Sequence, residues 1–149
     1  MGAFTAEIQL TNEADLILEE AGYPRPGGIR RRTVHALVDT GATVLVIPER
    51  LRDALGLKVV DRKFVGVADG SVIECDIVGP VEVRFGGRMM IGSAVAMPGD
   101  VQILLGAVQM EEMDLVVDPL AQRLIPNPRS PERARLLAVG VIVRGPPPV

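Results

Sequence analysis

Short apolar–polar alternations, separated by glycine or proline turns, recur along most of this chain and constrain its fold more than any other feature. Phe4, Ala6, Ile8 and Leu10 alternate with Thr5, Glu7, Gln9 and Thr11, the two-residue period of a strand with one buried face. Val34, Ala36 and Val38 repeat the pattern opposite His35, Leu37 and Asp39. Ile73, Cys75 and Ile77 do so again, followed by Val81, Val83 and Phe85, and then by Met89, Ile91, Ser93, Val95 and Met97. Asp69-Gly70 and Gly86-Gly87 read as tight turns, and Gly79-Pro80 as a break. Several short strands at this spacing predict a closed or sandwich-like all-β fold.

Helical signals are few. Asn12 is a candidate cap for a short helix through Leu16, Ile17 and Leu18 that stops at Gly22. Residues 43–47 read as a strand leading to Pro48, and Ile47, Leu51, Ala54 and Leu55 then follow helical spacing as far as Gly56. A last helical turn is expected over residues 108–113. Beyond residue 128 the pattern changes to a proline-interrupted linker over residues 129–149. A possible dimerisation strand at 136–143 carries Leu137, Val139, Val141 and Val143, and Pro146-Pro147-Pro148 reads as a disordered end.

Composition narrows the function. With aromatic residues at 3%, the core must be built from Val, Ile, Leu, Met and Ala, and the platforms that stack unpaired bases are missing. A net charge of −3 argues against a nucleic-acid partner, which would require a basic field. Arg30-Arg31-Arg32 is the one basic run and reads as a solvated strand entry. Cys75 is the single cysteine and His35 the single histidine, so neither a disulfide nor a metal cluster is expected, and a reducing, cytoplasmic setting fits best. No apolar run reaches membrane-spanning length, so no membrane partner is expected.

The segment with chemistry in it is Ala36-Leu37-Val38-Asp39-Thr40-Gly41-Ala42. An apolar strand delivers an acid onto a tight turn closed by glycine, although burying an unpaired carboxylate is costly. The competing reading is an aspartate that merely caps its own turn. An Asp-Thr-Gly triplet arises by chance in roughly a few per cent of chains of this length. Downstream features in a fixed order add weight: the Asp69-Gly70 hairpin, the apolar run Ile103-Leu104-Leu105-Gly106, a short helix through Glu111 and Met113, and a strand over residues 115–118.

In that order the chain resembles the retropepsin-like aspartic peptidases, over about residues 33–126 and most closely their short cellular and bacterial members. The resemblance implies a retropepsin-like closed β barrel with two or three short helices, its domain spanning residues 1–128. It further implies an aspartic endopeptidase without cofactor or metal, acting on polypeptide substrates. Asp39, Thr40 and Gly41 would form the catalytic loop. Ala42, together with the flap residues Val67, Ala68, Asp69, Gly70 and Ser71, would contact substrate. Thr40 would brace the loop across a dimer axis. Ala42 stands where many relatives carry a hydroxyl that bonds the catalytic carboxylate, which implies a less acidic optimum. Only one signature is present, because Asp69-Gly70 lacks the threonine and Val117-Asp118-Pro119 lacks the glycine. The implied partner is therefore a second copy of the chain, a homodimer contributing one Asp39 from each subunit. A peptide-binding module on the same fold, without catalysis, is the alternative.

Overall fold

A computed structural model describes residues 3–142, 144 and 145. The chain order is β1 (Thr5–Asn12), α1 (Glu13–Glu20), β2 (Arg31–Val38), β3 (Val46–Pro48), α2 (Glu49–Leu55), β4 (Lys58–Gly66), β5 (Val72–Phe85), β6 (Arg88–Met97), β7 (Leu104–Leu105), α3 (Ala107–Glu112), β8 (Leu115–Asp118) and β9 (Arg123–Pro126). The fold is mostly β with three helices, as the alternation predicts. No helix among the described residues is long and apolar enough to cross a membrane.

Six strands close into a ring in the order β1-β2-β7-β3-β6-β5, because β1 pairs with β2 on one edge and with β5 on the other. The 14-residue β5 makes this closure possible. Its first half pairs with β4 up to Gly79, and its second half passes to β1 from Val81. The exchange falls at Gly79-Pro80, where the register against β6 also shifts. Proline has no N–H to give to a ladder, so it sits where one partner ends and the next begins. This pair is therefore a bend within one strand, and the expected break does not occur.

Inside the ring, Ile8, Leu10, Leu55, Val83 and Leu105 are almost completely buried. Each such side chain contributes about 1.5–3 kcal/mol through burial. A smaller cluster of Val46, Cys75, Ile77, Val95 and Met97 lies beneath β4, with Val65 and Val67 packed against it. In β6 the expected face is corrected. Met90, Ala94 and Ala96 point into the main core, while Ile91 and Ser93 are exposed. Val95 and Met97 join the second cluster, so the end of this strand is covered on both faces.

Asn12 caps α1 by accepting the Asp15 N–H at 3.1 Å, and its own amide donates to the Leu55 carbonyl at 2.8 Å. The helix buries Asp15, not the apolar stripe: Ile17 and Leu18 are exposed. Arg30 donates to Asp15 through its backbone N–H, Nε and Nη2 at 2.9–3.0 Å. One member of the basic run thus carries a structural ion pair, while Arg31 and Arg32 are exposed. Gly56 ends α2 at φ +62, and a Cβ there would run into the Arg30 guanidinium.

Two further expectations change. The strand expected over residues 43–47 begins only at Val46, although the Leu45 carbonyl already accepts the Val95 N–H of β6 at 2.8 Å. No strand forms over residues 136–142, whose apolar side chains stand in solvent, Val139 at 90% exposure. Both edges of β1 are occupied within the chain, so that strand offers the segment no free edge. Val143 and residues 146–149 lie outside the described residues. The linker is nonetheless tied down at its start. Buried Arg88 donates to the carbonyls of Met113, Asp114 and Ser130, and the Arg135 N–H donates to Asp114 Oδ2 at 2.9 Å.

Candidate active site

Strand β2 ends at Val38 and hands the chain to Asp39 at the mouth of the ring. Its last residues run parallel to β7, pairing Leu37 with Leu104 and Val38 with Leu105. The Leu37 N–H donates to the Ile103 carbonyl at 2.8 Å, and the Asp39 N–H donates to the Leu105 carbonyl at 3.1 Å. The backbone before Asp39 is therefore fixed by a two-residue strand that is itself held between β2 and β3.

The turn after Asp39 closes on itself. Ala42 N–H donates to the Asp39 carbonyl at 3.2 Å, and Gly41 N–H donates to Asp39 Oδ1 at 2.9 Å. This hydrogen bond from a backbone N–H fixes the orientation of one oxygen of the carboxyl group. The Ala42 carbonyl in turn accepts from Ala107 N–H, the first residue of α3, at 2.7 Å.

Gly106 is the pivot beneath this loop. A Cβ at that position would lie 2.6 and 2.7 Å from the backbone O and N of Val44 and 2.9 Å from the Ala42 carbonyl oxygen. Only glycine permits such an approach of two backbones. Gln109 completes the support: its buried side-chain oxygen accepts the Gly106 N–H at 3.1 Å. The run Ile103-Leu104-Leu105-Gly106 was legible in the sequence, but Gln109 was not, because a glutamine on a short helix carries no signal of what it supports.

Across from the loop, β4 and β5 form a hairpin with its turn at residues 67–71. Val67 N–H donates to the Ser71 carbonyl and Gly70 N–H to the Val67 carbonyl, both at 2.9 Å, with Gly70 at φ +85. Asp69 Oδ1 accepts from the Ser71 hydroxyl at 2.5 Å and from the Ser71 N–H at 2.8 Å. These bonds hold the Asp69 carboxyl below its usual range, so Asp69 is an ionised acceptor within its own turn.

Between loop and hairpin lies a cleft of about 830 Å³. It gathers Asp39, Gly41 and Ala42 from one side and Val67 and Ala68 from the other. Thr40 is exposed at the loop, and Asp69, Gly70 and Ser71 form the hairpin tip; none of these four lines the cleft. Sequence reasoning missed Lys63 and Phe64 on β4, Ser93 on β6 and Val108 on α3, which do line it. Strand alternation could have placed Lys63 on the face of Val65 and Val67, once the direction of that face was known.

The cleft walls are mainly aliphatic, and Asp39 is the only acid among the described residues lining them. One half-buried carboxylate, oriented by its own turn and facing a largely aliphatic cleft, is half of what acid–base hydrolysis of a peptide requires. Residues 26–108, more than half of the sequence, match the family described as aspartyl protease, and the match takes in the loop, the hairpin and β7. No curated protein matches the chain. The chain therefore belongs to the aspartyl protease family, of the retropepsin-like kind.

Proposed function

We propose that the protein is an endopeptidase that works as a homodimer, with Asp39 from each subunit forming one catalytic pair. Membership of the family supports a peptidase in general terms. The observation that carries the finer reading is the lone Asp39 in the cleft. No other acid among the described residues lines the cleft, which supports a second carboxylate contributed by another copy of the chain.

Two carboxylates about 3 Å apart cannot both ionise, so the pair holds a single proton between them. One then acts as base towards a water, while the other donates its proton to the carbonyl of the scissile bond. The proton belongs to the pair and not to either residue. Gly41 N–H, fixed on Asp39 Oδ1, would hold each carboxylate in the plane that its partner requires. Thr40, exposed at the loop, would meet its counterpart across the axis. The hairpin would cover an extended peptide, excluding water and presenting aliphatic side chains to it.

The test is digestion of an unfolded protein mixture by the wild type and by Asp39→Asn, after sedimentation has established that both are dimers. Cleavage by the wild type, with a loss of at least about a hundredfold in the variant, is the expected outcome. Dimers that cut nothing would leave peptide binding as the function of this fold.

A further inference from the structure

Among the described residues, the cleft carries charge at only two points, the Asp39 carboxylate and the Lys63 ammonium. Lys63 lies on β4 opposite Cys75 of β5. It alternates with Val65 and Val67, which pack against the cluster of Cys75, Ile77 and Val95, so it belongs to the cleft-facing row of the hairpin. Its side chain is 64% exposed, within reach of anything lying in the groove. Among the described residues, the one acid within 4.0 Å of its ammonium is Asp61, 3.9 Å away and itself 58% exposed. An exposed pair at that distance contributes little and leaves ammonium donors free. The adjacent Arg62 is already engaged by Glu74 at 3.3 Å and Asp76 at 3.0 Å.

We propose that Lys63 is a specificity-determining residue, selecting a side-chain carboxylate of the substrate, Glu or Asp, within an otherwise aliphatic sequence. This rests on the reading above that an extended peptide occupies the cleft. From Lys63 to Ala68 at the turn the strand covers five residues, roughly 17 Å. The acidic side chain therefore sits several positions away from the part of the substrate beneath the hairpin tip. In a symmetric dimer each half of the cleft contributes one Lys63, so acids on both sides of the cut are favoured.

The test uses short aliphatic peptides, acetylated and amidated so that no terminal carboxylate remains, in pairs that differ only by Glu or Gln at one position. Binding is measured on the Asp39→Asn protein, and cleavage on the chain with Asp39 intact, each with Lys63, Lys63→Ala or Lys63→Glu, at about pH 6 where glutamate is ionised. With Lys63, the Glu peptide is expected to bind about three- to fivefold better at one position, the size of an exposed ion pair. That preference should shrink as salt screens it, vanish in Lys63→Ala, and turn towards Lys-bearing peptides in Lys63→Glu. Equal binding of Glu and Gln peptides at every position, or a preference unaltered by Lys63→Glu, overturns the proposal. An acid preference in binding without any cleavage by the wild type would uphold Lys63 while refuting the peptidase reading.

Discussion

At the scale of single residues, the site depends on positions that do no chemistry. Gly106→Ala places a methyl group against the backbone of Val44 and Ala42, neither of which is the loose end of a side chain. The loop bearing Asp39 must move. Overpacking of this kind costs about 1–3 kcal/mol, and misplacing a reacting group by about 1 Å lowers activity roughly a hundredfold. Thermal unfolding and kcat/KM of the variant check both, and a fully active Gly106→Ala would remove the pivot role. Asp15 makes a second prediction, on pH. The hydrogen bonds from Arg30 hold its carboxyl below the ordinary value. The stabilisation is therefore complete above the unfolded value, about 3.9, and is lost as pH falls through that range towards the lower folded value. Asp15→Asn should destabilise the protein by about 2 kcal/mol at neutral pH, and by progressively less in acid. Unfolding temperatures of the two proteins that converge as pH drops to about 3 are expected, and parallel curves would contradict this assignment. Both Asp39-Thr40-Gly41 and the Asp69-Gly70 turn were legible in the sequence because each is a contiguous string with a local physical cause. Arg30–Asp15 and Gln109 were not, because their partners are brought to them by the fold.

Among the elements, period-two alternation located most strands, since one buried face leaves a clear trace in β1 and β2. It failed where a strand is covered on both faces, as at the end of β6. It also failed at Gly79-Pro80, which looks like a stop but is a change of partner within one strand. The helix expected from the Asn12 cap is present as α1, with Ile17 and Leu18 facing outward. The tail is the sharpest case. Leu137, Val139, Val141 and Ile142 carry a strand's composition yet are exposed, with no strand partner among the described residues. In the dimeric reading, this segment is the natural candidate for a shared sheet between subunits, because pairing would bury what now faces water. Truncation after Pro131 retains the Arg88–Ser130 tie but removes the candidate strand. Circular dichroism of the truncated protein should match the wild type, while its dimer dissociation constant rises at least about tenfold. An unchanged constant in sedimentation equilibrium would exclude the tail from the interface.

For the whole molecule, the division is between a ring of six strands that holds the core and a hairpin that projects from it over the cleft. The ring makes the loop rigid, since β2, β3 and β7 all meet beneath Asp39. The hairpin lies at the sheet's edge, with β4 almost wholly exposed along its length, which in the proposed peptidase would let it admit and release a chain. In the proposed dimer, two-fold symmetry would supply the second carboxylate without any new sequence. The most direct test is to mix wild type with Asp39→Asn in varying proportion, under conditions where subunits exchange, and to follow peptide cleavage against the fraction of wild type. If each site requires Asp39 from both subunits, activity follows the square of that fraction, and an equal mixture retains about a quarter of the original rate. A linear dependence, with about half the rate remaining, would mean that each chain carries a complete site and that the shared pair is wrong.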